Sequence, residues 1–306
     1  MVPPEPVTPG PLALTRSTVE RSTTRRSDDG WLAAAWASPS SRVLVVQDGE
    51  ALARFGDNGA ELLFVSPGQA PEGTRFLLGV DSADVAYFGV AAVLPDAPEE
   101  TVRPAGLRTV GSVLSNRDAG LLTHAVALAN WHASAGFCPR CGAATDPAPA
   151  GHIRRCSAEG TDIFPRIDPA VIMLITDPGD RCLLARNTRW PAGRVSVLAG
   201  FVEPGESAEA AVAREVREET GVVVGAVHYA ASQPWPMPFS LMLGFRGEAV
   251  ETRIEVDDDE ISEAAWYSRD DLREALVSGR LLMPPSLSIS RWLIETWYGG
   301  PLPASA

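Results

Sequence analysis

Three glutamates fall within five residues, Glu215, Glu218 and Glu219, and they close a segment that begins small and apolar. Ser207 is a suitable N-cap, residues 208–220 contain neither Gly nor Pro, and Gly221 follows as a C′ residue would, so the spacing predicts a helix over 208–220. At about 100° per residue, Ala208, Ala211, Val212, Glu215 and Glu219 share one stripe, with Glu218 at its edge. Carboxylates on an inward face repel one another and cannot be buried unpaired without a large desolvation cost. Either they protonate or cations hold them, and hard oxygen ligands favour Mg²⁺ or Mn²⁺. Arg214, four residues before Glu218, is placed to orient a carboxylate. A solvated acidic helix is the competing reading, and the shared apolar stripe counts against it.

The residues that must position this cluster surround it. Gly200 and Gly205 allow tight backbone geometry in the loop that enters the helix. Gly200, Glu206, Arg214-Glu215, Glu218-Glu219 and Gly221 together match, at fixed spacing, the Nudix box. The chain thus resembles the Nudix hydrolases. That resemblance implies an α/β/α sandwich cleaving nucleoside diphosphates linked to another group, with a divalent metal.

A chain of 306 residues suggests two domains and a small insert. It carries 26 basic and 39 acidic residues, a net charge of −13, which argues against broad electrostatic binding to nucleic acid. There is no lysine, which excludes Schiff-base chemistry and a P-loop lysine. Phosphate contacts must come from arginine, backbone N–H groups or metal. The N-terminal residues hold no apolar core of signal-peptide length, and the apolar run at 85–94 is about half of a membrane span, so a soluble cytoplasmic protein is expected.

Residues 1–30, rich in Pro, Ser, Thr and Arg, read as a poorly ordered tail. Residues 31–136 read as an N-terminal β-rich α+β domain. It opens with a hairpin (42–46 and 51–55) about Asp48-Gly49, continues with strands at 61–65, 74–80 and 85–93, and closes with an amphipathic helix over 120–134. No catalytic constellation stands out there; His124 and His132 read as helix surface or packing.

Residues 137–166 form a zinc-ribbon-like insert: Cys138 and Cys141 are followed by Cys156, with Glu159 where a fourth cysteine would complete the ribbon. Three thiolates and a carboxylate can hold one structural Zn²⁺, His152 is a substitute ligand, and a metal-free ribbon is the alternative. Residues 167–306 form the catalytic domain. Strands are expected at 171–176, 182–186, 195–199, 222–227, 241–245 and 264–267, with closing helices at 270–278 and 287–297; Cys182 belongs to the core.

A stretch rich in proline, Ser232-Gln233-Pro234-Trp235-Pro236-Met237-Pro238-Phe239-Ser240, presents an amide, an indole and hydroxyls to a nucleotide base, or else packs Trp235 into the core. With the box beside it, the stretch resembles the SQPWPFPxS signature of the NADH pyrophosphatase subfamily, with Met237 in place of Phe. The cysteine-rich insert and β-rich N-terminal domain match that subfamily too.

The resemblance implies metal ligands at Glu215, Glu219, the Ala199 carbonyl and Glu260 of the acidic run 257–260. It implies substrate contacts at Phe164 and over Gln233, Pro234, Trp235, Pro236, Met237, Pro238, Phe239 and Ser240. Glu219 or Glu218 is then the water-activating base, with Arg214 orienting the cluster. It also implies a homodimer that hydrolyses NADH or NAD⁺ to AMP and the nicotinamide mononucleotide, with the NAD cap of an RNA 5′ end as a second substrate. A Nudix hydrolase of another substrate such as ADP-ribose, and a non-catalytic nucleotide sensor, are the alternatives.

Overall fold

The computed structural model describes residues 10–57, 59–256 and 259–303. In chain order the elements are α1 (Thr23–Arg26), α2 (Asp29–Ala37), β1 (Arg42–Val46), β2 (Glu50–Gly56), β3 (Gly59–Leu62), β4 (Thr74–Val80), β5 (Ala86–Ala91), β6 (Val102–Gly106), α3 (Leu107–Val110) and α4 (Asn116–Ser134). The insert adds β7 (Thr145–Pro147), β8 (Arg154–Cys156) and β9 (Asp162–Ile163). There follow β10 (Asp168–Thr176), β11 (Cys182–Asn187), β12 (Leu198–Phe201), α5 (Ala208–Thr220), β13 (Val223–Trp235), β14 (Ser240–Glu251), β15 (Ile261–Tyr267), α6 (Arg269–Val277) and α7 (Ile289–Tyr298). The chain divides into two compact units: Asp168–Gln233 and Leu241–Ala306 with the first residues of the chain, and Ala13–Ile167 with Pro234–Ser240.

The first unit is a sandwich because β10 and β11 are apolar on both faces. Val171, Met173, Ile175, Leu183 and Ala185 pack with Ala211, Val212 and Val216 of α5. Their alternating neighbours Ile172, Leu174, Cys182 and Leu184 pack instead with Leu272 and Leu276 of α6 and Leu293 and Ile294 of α7. A strand buried on both sides with period two requires a helical layer on each face. The sheet order is β13-β14-β10-β11-β15, with β12 paired to β10. Cys182 is fully buried in this core, and burial pushes its thiol far above the ordinary range.

The second unit departs from expectation in two places. Gln47 and Glu50 exchange both backbone hydrogen bonds across Asp48-Gly49, as a two-residue hairpin should. Beyond that pair the strands separate: β1 pairs in parallel with β5, while β2 pairs with β3 and β6 in another sheet. A local turn signal sets the reversal and does not decide the strands' other partners. The described part of the presumed tail is structured. Glu20 bridges Val80, and Arg16 donates to the Gly111 carbonyl at 2.6 Å. Residues 1–9 lie outside the described residues. Of the two readings for His124 and His132, helix surface or packing, burial selects packing.

Helix α4 begins four residues earlier than its apolar periodicity indicated, because Ser115 caps it by accepting from the Asp118 N–H at 3.1 Å. The insert is a three-stranded antiparallel sheet, β7-β8-β9. Among the described residues no helix is long and apolar enough to cross a membrane.

Candidate functional site

Helix α5 spans the predicted residues, with the Ser207 side chain accepting from the Ala210 N–H at 3.2 Å and Gly221 at φ 71°, a left-handed conformation that favours glycine. Ala211, Val212 and Val216 are wholly buried, and the stripe they begin ends in Glu219, 6 % exposed. The glutamates sit in the last turns of the helix, where the dipole is negative, so the backbone adds to the need for a cation.

Arg214 supplies one. Its Nε and Nη2 donate to the two oxygens of Glu206, each at 2.9 Å, its Nη1 donates to Glu215 Oε1 at 2.8 Å and Glu218 Oε2 at 3.0 Å, and Nη2 also reaches the Phe201 carbonyl at 2.9 Å. The hydrogen bond from Arg214 holds Glu206 below the usual carboxylate range, and the same contact holds the guanidinium firmly protonated. Glu215 behaves oppositely: burial raises it, and the charges of Glu218 and Glu260 push the same way against Arg214. Glu260 therefore faces the cluster electrostatically although it is exposed, and its backbone carbonyl accepts from the Thr188 N–H at 2.8 Å. Asp257 and Asp258 of the acidic run lie outside the described residues.

Strand β12 brings up the backbone. Ala199 registers with Ile172 of β10, and a Cβ on the next residue, Gly200, would overlap the Glu215 carboxylate. Only glycine lets that carboxylate lie directly on the strand. Glu215, Glu219 and the Ala199 carbonyl are all hard oxygen donors, and this set fits a divalent cation. With Arg214 holding Glu215, the carboxylates do not converge as closely as the cysteines described next.

The sulfurs of Cys138, Cys141 and Cys156 lie within 4.8 Å of one another, with Cys141 and Cys156 at 3.5 Å. Backbone N–H groups of Arg140 and Cys141 hold the Cys138 thiol below its usual range. Cys141, despite the Ala143 N–H that favours its thiolate, is pushed up to about 11 by Cys156 and Cys138. Thiols this close cannot all ionise without a cation among them, and a thiolate trio fits zinc. Glu159 is not drawn into the trio. Its carboxylate lies 3.7 Å from Arg140, and its contribution to the sulfurs is a backbone N–H donated to Cys156 at 3.4 Å. His152 lies elsewhere, its Nε2 on the Leu77 carbonyl at 2.7 Å and its Nδ1 on Arg26 at 2.9 Å.

The proline-rich stretch is less of a loop than its prolines indicate. Ser232 through Trp235 extend β13, and only Pro236 through Phe239 turn. Pro234 is tolerated in β13 because β13 is the edge strand. Gln233 is a correction: its amide is wholly buried, donates to the Leu287 carbonyl at 2.9 Å and accepts from the Ile289 N–H at 2.8 Å, so it pins the start of α7 and offers nothing to a ligand. Trp235 is half-buried beneath Arg108, and Phe239 lies under Arg166. Phe164 is exposed. The sequence reading overlooked Arg108, Asn130 and the part played by Glu206. Only Glu206 left a signal, its place in the matched motif.

Three domain families match the chain: the NUDIX domain over residues 166–284, the NADH pyrophosphatase zinc ribbon domain over 133–164, and the NADH pyrophosphatase-like rudimentary NUDIX domain over 37–131. The chain is 48 % identical over 213 residues to the NAD-capped RNA hydrolase NudC of Mycobacterium bovis, covering 66 % of this chain and 67 % of that protein. It is 47 % identical to the protein of the same name from Mycobacterium tuberculosis, with the same coverage. To the human NAD-capped RNA hydrolase NUDT12 it is 44 % identical over 196 residues, covering 60 % of this chain and 42 % of that protein. A Nudix box on α5, a ribbon and a rudimentary Nudix domain in one chain, with these relatives, place it in the NADH pyrophosphatase group of the Nudix hydrolases.

Proposed function

We propose that the chain hydrolyses the pyrophosphate bond of NADH and NAD⁺ to AMP and the nicotinamide mononucleotide, and removes the same nucleotide from NAD-capped RNA 5′ ends. The Arg214 clamp carries the reading: one guanidinium holds Glu206, Glu215 and Glu218 beside a glycine that admits a carboxylate to the strand. A non-catalytic nucleotide sensor has no need of so complete a set.

Glu215, Glu219, Glu260 and the Ala199 carbonyl would hold the cation, Mg²⁺ or Mn²⁺. When bound, it neutralises the doubly negative diphosphate and lowers the pKa of water. Glu219 or Glu218 accepts the proton as a water oxygen forms its bond to phosphorus and the bridging P–O bond breaks toward the leaving phosphate. Arg214 keeps its carboxylates aimed. The half-buried indole of Trp235, with Met237, Phe239 and Ser240, would receive the base of the nicotinamide nucleotide, and the exposed ring of Phe201 offers a further stacking face beside Gly200. Zinc on Cys138, Cys141 and Cys156 is structural, since no hard-oxygen cluster adjoins the sulfurs among the described residues. A cysteine trio placed as zinc ligands and a fourth cysteine buried in the core suit a reducing, cytoplasmic setting, and the family resemblance supports a homodimer, in which Phe164 could serve a shared site.

Incubation with NADH, ADP-ribose and NAD-capped RNA, with Mn²⁺, Mg²⁺ or EDTA, tests this by chromatography of the products. AMP and reduced nicotinamide mononucleotide from NADH, and 5′-monophosphate RNA from capped RNA, are expected with metal only. Faster cleavage of ADP-ribose than of either nicotinamide substrate would replace the reading with a hydrolase of another nucleoside diphosphate.

A further inference from the structure

The turn joining β13 to β14 belongs to the second compact unit. Pro234–Ser240 clusters with Ala13–Ile167 and not with the strands on either side of it. Proline at 234, 236 and 238 removes three backbone donors, and within the turn the Met237 N–H donates to the Trp235 carbonyl at 2.7 Å. Two groups of that same unit hold its Trp235–Pro236 part. Asn130 on α4 donates its Nδ2–H to the Pro236 carbonyl at 2.9 Å. Arg108 on α3 stands over the indole of Trp235, 5.1 Å from the ring centre.

Beside these contacts lies a cavity of about 730 Å³, lined by Met237, Pro238 and Phe239 together with Thr109, Val126 and Ser134. A segment that borders a cavity lacks close-packed neighbours on that side, so its position depends on directional contacts elsewhere.

We infer that Arg108 and Asn130 are positioning residues, through which the rudimentary Nudix domain holds the Trp235–Met237–Phe239 surface in the form that receives the nicotinamide nucleotide. The inference rests on the proposed role of that turn. It gives the N-terminal domain, which has no carboxylate cluster of its own among the described residues, a part in substrate selection.

The test uses the full chain at saturating Mn²⁺, with NADH and ADP-ribose as substrates and a thermal melt of each variant. Arg108→Ala and Asn130→Ala should each lower kcat/KM for NADH by about three- to tenfold, chiefly through KM, the size expected of one cation–π or one hydrogen-bond contact. ADP-ribose turnover should change less than about twofold. Arg108→Lys, which keeps the charge, should recover most of the loss. The double variant Arg108→Ala/Trp235→Ala should be no worse than Trp235→Ala alone.

If Trp235→Ala shifts the NADH to ADP-ribose ratio and the folded Arg108 and Asn130 variants do not, positioning is wrong and the turn's role stands. If Trp235→Ala also leaves the ratio unchanged, the turn's role is lost and the inference with it. Parallel loss on both substrates, tracking a lowered melting temperature, overturns positioning in favour of plain stabilisation. Should an alanine variant fail to fold, Asn130→Asp, which cannot donate, and Arg108→Gln are judged by the same ratio.

Discussion

Helices α4 and α5 each lay an apolar stripe on a sheet, and they differ in how the stripe ends. In α4 it continues through Leu121, Leu122, Ala125, Val126, Leu128 and Ala129 to Trp131 and His132, all buried, over β1, β4 and β5. In α5 it passes from Ala211, Val212 and Val216 into Glu219, with Glu215 half-buried alongside, over β10 and β12. The first stripe spends its burial on cohesion. The second places charge where water is scarce, which costs stability and makes a cation valuable. One helix therefore holds its unit together, and the other concentrates the chemistry.

The sharpest way to break this contrast is Glu219→Gln. We expect kcat/KM to fall about a thousandfold, near 4 kcal/mol of transition-state stabilisation, with an unchanged melting curve. Near-normal turnover at saturating Mn²⁺ would show that α5 is as structural as α4. The reciprocal change, Leu122→Ala at a wholly buried α4 position, should cost about 3 kcal/mol of unfolding free energy in denaturant titration. It should leave kcat of the folded fraction within about twofold, as expected of a pure packing change; a large loss of kcat without loss of stability would reverse the assignment.

Glu206→Gln tests the clamp. Loss of one charged partner of Arg214 should lower kcat/KM about tenfold and raise the Mn²⁺ concentration for half-activity, since the guanidinium is then freer to pair with Glu215. An unchanged metal titration would remove Glu206 from the site.

The smallest effect is one of pH, in the unit held by α4. Arg26 can only donate, so its contact with His152 Nδ1 makes that nitrogen an acceptor and leaves the proton on Nε2, facing the Leu77 carbonyl. Arg154 treats His132 in the same way, with Nε2 on the Gly151 carbonyl at 2.8 Å. Burial, and then the nearby arginines, push His152 down to about 4. The fold is thus fully stable above about pH 6.5, where the unfolded histidine is neutral, and loses stability as pH falls from there toward 4. The loss is about 1.4 kcal/mol for each pH unit at most, and His152→Gln should flatten the slope between pH 6.5 and 4 in thermal melts. An unaltered slope would mean that His152 takes up its proton at the same pH in the fold as in the unfolded chain.

Which of these features were legible in the sequence follows from their range. Helix α5 was readable because its limits, Ser207 and Gly221, act on their own backbone, and because periodicity places Glu215 and Glu219 on the apolar side without reference to anything distant. The cysteine trio was readable because two of its members are three residues apart and a tight turn brings them together. Pairing across the chain was not readable. Asp48-Gly49 announces a reversal, yet β1 joins β5 and β2 joins β6, because sheet partners are chosen by burial of whole faces. Gln233 lies in a motif that points toward a ligand, and only the tertiary structure turns its amide inward to the Leu287 carbonyl and the Ile289 N–H.

The sequence by itself determined the reaction class, since box spacing, helix caps and the stretch of alternating prolines are local, and local geometry needs only neighbours. The tertiary structure decided who holds whom: Arg214 on three carboxylates, Gly200 beneath Glu215, Asn130 and Arg108 on the turn. Apart from Arg214 with its helical neighbours Glu215 and Glu218, those contacts join residues between 8 and 127 positions apart in the numbering, where only the packing of complete elements brings side chains within reach.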